Sequence, residues 1–170
     1  MSGWMWIVWV LVLTFGIIVF RGAPYVPSKH RDIKKALKEL YPLSSKDVLV
    51  DVGSGDGIVL RIASKYGAKA VGYELNPILI LISKFLSRND SRARVKLADF
   101  WITTLPDDVT IVYAFLVTRD VKKMINKLTK EATRLNRPIH CLSYGNKFIG
   151  MVPERSLEAY YLYTFYPLHS

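Results

Sequence analysis

Residues Asp51-Val-Gly-Ser-Gly-Asp-Gly57 follow directly on the apolar run Val48-Leu-Val50. Their types define a place where bare backbone can lie against a ligand. Glycine adopts positive φ and has no Cβ to hold a bound group away. The helix expected after Gly57 turns unpaired N–H groups towards the same spot. The spacing departs from the dinucleotide fingerprint G-x-G-x-x-G, whose third glycine falls one position beyond Gly57. A second acid, Glu74, ends the next apolar run, Ala70-Val-Gly-Tyr-Glu74, after a helix-length interval. A carboxylate at that point can accept hydrogen bonds from both hydroxyls of a ribose. The competing reading is a plain strand-to-helix turn, but three alternating glycines are an entropically costly way to make one. The loop points to a nucleoside-type ligand.

A sheet must carry these residues. Gly22-Ala-Pro-Tyr-Val-Pro27 reads as an extended linker, because each proline pushes its predecessor out of the α region. Ser28 can cap a helix to about Tyr41, with Ile33, Leu37 and Leu40 on one face. The pattern then predicts a strand at Val48–Asp51, a helix from Gly57 to about Tyr66 with Gly67 as C-cap, and a strand at Ala70–Glu74. Asn76-Pro77 opens a helix to about Ser87, proline being welcome in a first turn. Arg94–Ala98 reads as a third strand with Asp99 at its tip, and Val109–Leu116 as a fourth, apolar enough to be buried on both faces. A helix from Arg119 to about Arg134 and a fifth strand at Pro138–Tyr144 follow. Phe148–Met151 and Leu157–Tyr166 read as a closing antiparallel pair. Strands alternating with helices predict an α/β fold with a mostly parallel, twisted sheet flanked by helices. Such sheets bind ligands beyond the carboxyl ends of their strands, where Asp51, Glu74, Asp99 and Phe115 converge.

The first 20 residues hold no charged side chain, and Trp4–Phe20 is broken only by Thr14 and Gly16. At about 1.5 Å per residue, some 20 helical residues match a bilayer core of about 30 Å. Trp4, Trp6 and Trp9 suit the headgroup level, and the chain lacks the basic start of a cleaved signal peptide. A single transmembrane anchor is therefore expected. Arg21, Lys29, Arg31, Lys34, Lys35 and Lys38 follow it, so the positive-inside rule puts the folded part on the cytoplasmic (or matrix) side of a single-pass membrane protein. The division expected is anchor 1–21, linker and N-terminal helix 22–46, and ligand-binding domain 47–170. A formal net charge of +10 suits a domain held against anionic lipid. Without a basic cluster interleaved with aromatics, nucleic acid is not an expected partner. Cys141 is alone in an apolar run, which excludes a disulfide framework, and His30, His140 and His169 are too scattered for a metal site.

Five segments occur in a telling order: Pro24-Tyr-Val-Pro-Ser28, Asp51–Gly57, Gly72-Tyr-Glu-Leu-Asn-Pro77, Ala98-Asp-Phe-Trp101 and Phe115-Leu-Val-Thr118. The D-x-G-x-G-x-G loop resembles the S-adenosylmethionine (SAM) loop of class I methyltransferases. The whole set resembles a small class I family of protein-lysine methyltransferases. That family includes archaeal enzymes and the membrane-anchored mitochondrial enzymes acting on the ATP synthase c-ring protein and the adenine nucleotide translocase. The resemblance implies a Rossmann-like SAM methyltransferase fold and SAM as the cofactor. It implies that Asp51, Gly53, Gly55 and Gly57 hold the methionine portion, Asp51 through its amino group, within a segment that also supplies Ser54 and Asp56. Glu74, followed by Leu75 and Asn76, would hold the ribose; Asp99 would hold the adenine amino group, with Phe100 or Trp101 against the ring. Tyr25 and Pro27 would fold over the cofactor and shape the channel for the incoming side chain, although Tyr25 could equally be a headgroup-level anchor. The chain departs from the family pattern at Ser143-Tyr144-Gly145 and in the basic run Lys122-Lys123…Lys127…Lys130.

The activity implied is SAM-dependent N-methylation of a lysine on a membrane or membrane-proximal protein. Tyr25, Pro27, Tyr113, Phe115 and Tyr144 are the candidates for the acceptor channel, and no residue stands out as a general base. Two alternatives remain open from sequence: methylation of a lipid headgroup or small amphiphile, and a membrane-tethered SAM-binding protein without turnover.

Overall fold

The computed structural model describes residues 3–6, 8–9 and 30–168. Helix α1 (His30–Glu39) leads into β1 (Val48–Val52), α2 (Ile58–Lys65) and β2 (Lys69–Glu74). Next come α3 (Pro77–Leu86), β3 (Ala93–Leu97) and β4 (Ile111–Leu116). A 3-10 turn (Thr118–Asp120), α4 (Val121–Leu135), β5 (Ile139–Gly145), β6 (Arg155–Leu157) and β7 (Tyr160–Phe165) complete the chain. One sheet runs in the order β3-β2-β1-β4-β5-β7-β6. Pairs β1–β2, β1–β4, β2–β3 and β4–β5 are parallel, and β7 runs antiparallel to both β5 and β6. The chain steps outward from β1 to β3, then returns to the far side of β1 for β4. That reversal opens a crevice above the carboxyl ends of β1 and β4.

Both faces of the sheet are covered, which is why β1 and β4 read as near-continuous apolar runs. On one face Leu49, Ile111, Leu142 and Leu162 pack beneath α1 and α2 through Ile33, Leu37, Leu60 and Ile62. On the other, Val50, Val112, Cys141 and Tyr163 pack beneath α4 through Met124, Leu128 and Ala132. Each fully buried aliphatic side chain here contributes about 1.5–3 kcal/mol relative to exposure. Asn76 caps α3, its Oδ1 accepting N–H bonds from Ile78 and Leu79 at 2.9 and 3.4 Å, with Pro77 in the first turn.

Two expectations are corrected. The closing hairpin joins Arg155–Leu157 to Tyr160–Phe165, not Phe148–Met151 to the last strand. Phe148 is buried edge-on against Tyr163 and Phe165, at 4.7 and 5.4 Å between centroids, so its apolar character comes from the core rather than from a ladder. The transmembrane helix and the single-pass location on the cytoplasmic or matrix side are also withdrawn. Among the described residues no helix is long and apolar enough to cross a membrane. Positions 7 and 10–20 of that expected span, and Ser28 as a cap, lie outside the described residues.

The amino end of β1 is tied down by Asp47. Its carboxylate accepts from the Tyr41 hydroxyl (2.7 Å), from the Ser44 N–H and hydroxyl (2.8 and 2.7 Å) and from the Thr110 hydroxyl (3.0 Å). Burial alone would raise this carboxyl, but the bonds from Ser44 and Tyr41 outweigh it and hold it below the usual range. A lowered folded-state pKa gives stability that is present at neutral pH and lost as pH falls through that pKa. Asp47→Ala should therefore cost about 2–3 kcal/mol at neutral pH and less in acid, as read by urea unfolding at the two pH values.

Candidate functional site

Asp51 lies at the centre of the crevice, in register between Gly72 of β2 and Tyr113 of β4. Only 3 % of it is exposed, and its Oδ2 has no hydrogen-bond partner among the described residues. Burial first, then the charges of Glu74 and Asp56, push its carboxyl up to about 8. A sealed carboxylate with an unanswered oxygen is costly to the fold on its own. It fits a ligand that carries positive charge and N–H donors.

The loop after it supplies the cradle. Gly53, Gly55 and Gly57 have φ of +70°, +56° and +81°, conformations that side chains rarely adopt. The N–H groups of Gly53 and Ser54 both donate to the Tyr73 carbonyl, at 2.9 and 3.2 Å, which fastens the loop to β2. Among the described residues nothing stands within 4 Å of where a Cβ on Gly53 would project. Gly57 is bare because Ser83 of α3 packs against it, and Gly72 because Ser54 and Leu60 do. Asp56 turns back to start α2, accepting the Ile58 N–H at 3.1 Å and pairing with Arg61 at 3.3 Å.

Glu74 reaches the same loop. Its Oε2 accepts the Gly55 N–H and its Oε1 accepts those of Leu75 and Asn76, each at 2.8 Å. Three backbone donors thus lock the carboxylate in place, and Oε2 keeps one acceptor direction open for a hydroxyl. At the tip of β3, Asp99 Oδ1 accepts the Trp101 N–H at 2.9 Å. Phe100 goes into the core beside Tyr73, while Trp101 is half-buried edge-on to Phe100 at 5.2 Å.

The basic run on α4 braces that segment. Lys123 Nζ sits 4.2 Å above the Trp101 ring. Lys127 donates to the Thr103 carbonyl at 2.7 Å and to the buried Glu131 at 3.0 Å. Arg134 holds Glu131 at 2.8 Å and the Leu105 carbonyl at 2.8 Å. Burial would raise the Glu131 carboxyl, but the bonds from Arg134 and Lys127 keep it below its usual range. Sequence reasoning missed Glu131; its i,i+4 relation to Lys127 and i,i+3 relation to Arg134 were the available signal.

Tyr113, Phe115 and Tyr144 come together at the carboxyl ends of β4 and β5, and a fourth ring joins them. Tyr160 of β7 stacks on Tyr144 at 4.7 Å and bonds the Tyr113 hydroxyl. Phe115 lies 5.6 Å from Tyr144. Burial, with Tyr144, Asp32 and Glu158 nearby, pushes the Tyr160 hydroxyl up to about 12. Tyr160 was legible only as part of an alternating apolar strand, because its partner strand is distant in sequence. Tyr25 and Pro27 lie outside the described residues.

Residues 50–139 match the family model described as a methyltransferase domain, and the chain belongs to that family. The fold is the Rossmann-like α/β fold of class I SAM methyltransferases, and SAM is the cofactor that such a domain uses. A lysine N-methyltransferase of Xenopus laevis, named for the C protein of ATP synthase, is 35% identical over 121 residues, covering 69% of this chain and 52% of that protein. A protein-lysine N-methyltransferase of Saccharolobus islandicus is 31% identical over 113 residues, covering 64% of this chain and 69% of that protein. The chain thus spans about half the length of the ATP synthase-directed enzymes it matches. An RNA methyltransferase from Salinibacter ruber, solved with S-adenosyl-L-homocysteine, superposes with a TM-score of 0.70 at 25% identity, covering 85% of this chain and 96% of that one. A cationic sulfonium donor with an α-amino group has the chemistry that Asp51 calls for.

A carboxyl raised in the folded state is neutral there, so its contribution weakens as pH rises from the ordinary 3.8 through about 8. Asp51→Asn removes that penalty. The variant without ligand should melt higher than the unsubstituted chain, by more at alkaline than at mildly acidic pH in scanning calorimetry. It should also lose SAM binding by titration calorimetry.

Proposed function

We propose that the protein transfers the methyl group of SAM to the ε-amino group of a lysine on a protein substrate. The observation that carries this reading is the buried Asp51 carboxylate, whose Oδ2 has no partner among the described residues, beside a glycine cradle and in register with Tyr113 of a cluster of four aromatic rings. The names of the relatives support lysine as the acceptor. The narrower acceptor, a lysine on a membrane or membrane-proximal protein, is favoured by the formal charge of +10, which draws the chain to anionic surfaces.

Bound SAM supplies a methyl group on a positively charged sulfur, open to in-line attack. In this reading Asp51 takes the donor's ammonium, Glu74 Oε2 a ribose hydroxyl and Asp99 the adenine amino group. The protein's tasks are then alignment and exclusion of water. Free lysine has a pKa of about 10.4, so presenting the neutral amine at pH 7 costs roughly 4–5 kcal/mol. Tyr113, Phe115, Tyr144 and Tyr160 lower that cost by burying the amine among rings. Asp32 and Glu158, which both act on Tyr160, attract the lysine while it is still charged outside the channel.

Incubation of the purified protein with methyl-labelled SAM and a membrane-containing extract should place label in methyl-lysine after acid hydrolysis. Label confined to extracted lipid or to RNA would refute the assignment. Glu74→Gln should weaken SAM binding at least tenfold, since it breaks charge-assisted bonds worth about 1.5–3 kcal/mol. Tyr144→Ala should instead lower kcat several-fold with SAM affinity retained, a split that separates acceptor residues from donor residues.

A further inference from the structure

Helix α3 is inverted relative to an ordinary surface helix. Its buried positions are Ile80 and the small polar Ser83. Its solvent face carries Ile78, Leu81, Ile82, Phe85 and Leu86, between 41% and 68% exposed. These recur at spacings of three and four, so they form a single apolar stripe. Stripes of this size on a folded domain mark a contact surface.

The surroundings of the stripe say what covers it. Along α3, its following turn and the edge strand β3 stand Lys84, Arg88, Arg92, Arg94 and Lys96, all exposed. Asp90, the one acid from 75 to 98, is taken up by the Ser64 hydroxyl at 2.7 Å and the Arg92 N–H at 3.0 Å. Between α3 and β3 lies a cavity of about 290 Å³ lined by Ser83, Ser87, Lys84, Arg94 and Lys96 among others. The hydroxyls of Ser83 and Ser87 are buried without partners among the described residues.

We propose that the α3–β3 face is a docking surface for an anionic phospholipid bilayer. The apolar stripe enters the headgroup–acyl boundary while the cations and the serine-lined cavity receive headgroup phosphates. The contact is peripheral: at about 1.5 Å per residue, a ten-residue helix lies in an interface and does not cross a core of about 30 Å. A second copy of the chain fits less well, because a two-fold contact would set these cations against their own counterparts. Nucleic acid would answer the cations and leave the stripe in water. Because Asn76, the cap of α3, lies two residues after Glu74, the docked face adjoins the donor crevice. The contact itself does not depend on which acceptor is methylated.

The test uses the full chain with Phe85→Cys, labelled with an environment-sensitive fluorophore; Cys141 is buried, which confines labelling to position 85. Vesicles of phosphatidylcholine mixed with phosphatidylglycerol should shift the emission to the blue and carry the protein into the pellet. Pure phosphatidylcholine and high salt should abolish both effects. Arg94→Gln with Lys96→Gln should weaken partitioning about tenfold while SAM titration shows the fold intact. Sedimentation without a spectral shift would mean that another part of the chain meets the lipid and would overturn the proposal. A concentration-dependent shift without vesicles would overturn it in favour of self-association. Undiminished binding of the double variant would overturn it as well.

Discussion

The interior position of the Asp51 carboxylate is the constraint around which this molecule is organised. Water is kept from it by the central strands, and no hydrogen bond compensates Oδ2. A carboxylate so placed opposes folding unless it is neutral or is met by a cation. The rest of the sheet therefore carries that unfavourable group, and the two apolar cores on either face offset it. Cofactor binding in such an arrangement repairs a deficit already present in the fold.

Close approach is the second requirement, and it is met by pairs of small residues in tertiary contact. Gly72 accepts Ser54, and Gly57 accepts Ser83. The cradle thus lies against β2 on one side and α3 on the other. At the tip of β3 the same precision comes from charge. Lys127, Glu131 and Arg134 bind the carbonyls of Thr103 and Leu105 and hold the segment beginning at Asp99 against α4. A surface ion pair contributes little, but this set is largely buried and its members satisfy backbone groups that would otherwise be left bare.

Most of the alternation of strand and helix is legible in the chain itself, because apolar periodicity and turn chemistry are local. The D-x-G-x-G-x-G loop, Glu74 and the Asn76 cap each sit within a residue or two of the expected places. The closing hairpin was misplaced because Phe148 has the composition of a strand residue while its burial is decided by Tyr163 and Phe165, far along the chain. The expected membrane span rested on the length of an uncharged run and its tryptophans, and among the described residues no helix is long and apolar enough to cross a membrane. The inverted polarity of α3 was hidden for a similar reason. Its sequence is apolar except at Ser83 and Lys84, and only the packing of Ser83 against Gly57 shows which side turns inward.

By itself the sequence determined the class of the fold, the glycine-lined turn after β1 and the acids at three strand tips. Each depends on a residue's own backbone freedom or on a period of two or 3.6. Tertiary structure alone decided that Oδ2 of Asp51 has no partner among the described residues, that the Gly55 N–H reaches Glu74, that Tyr160 completes the aromatic cluster and that α3 faces solvent with its apolar side. Those properties come from distances between segments far apart in the chain, and desolvation and charge act through distance in space.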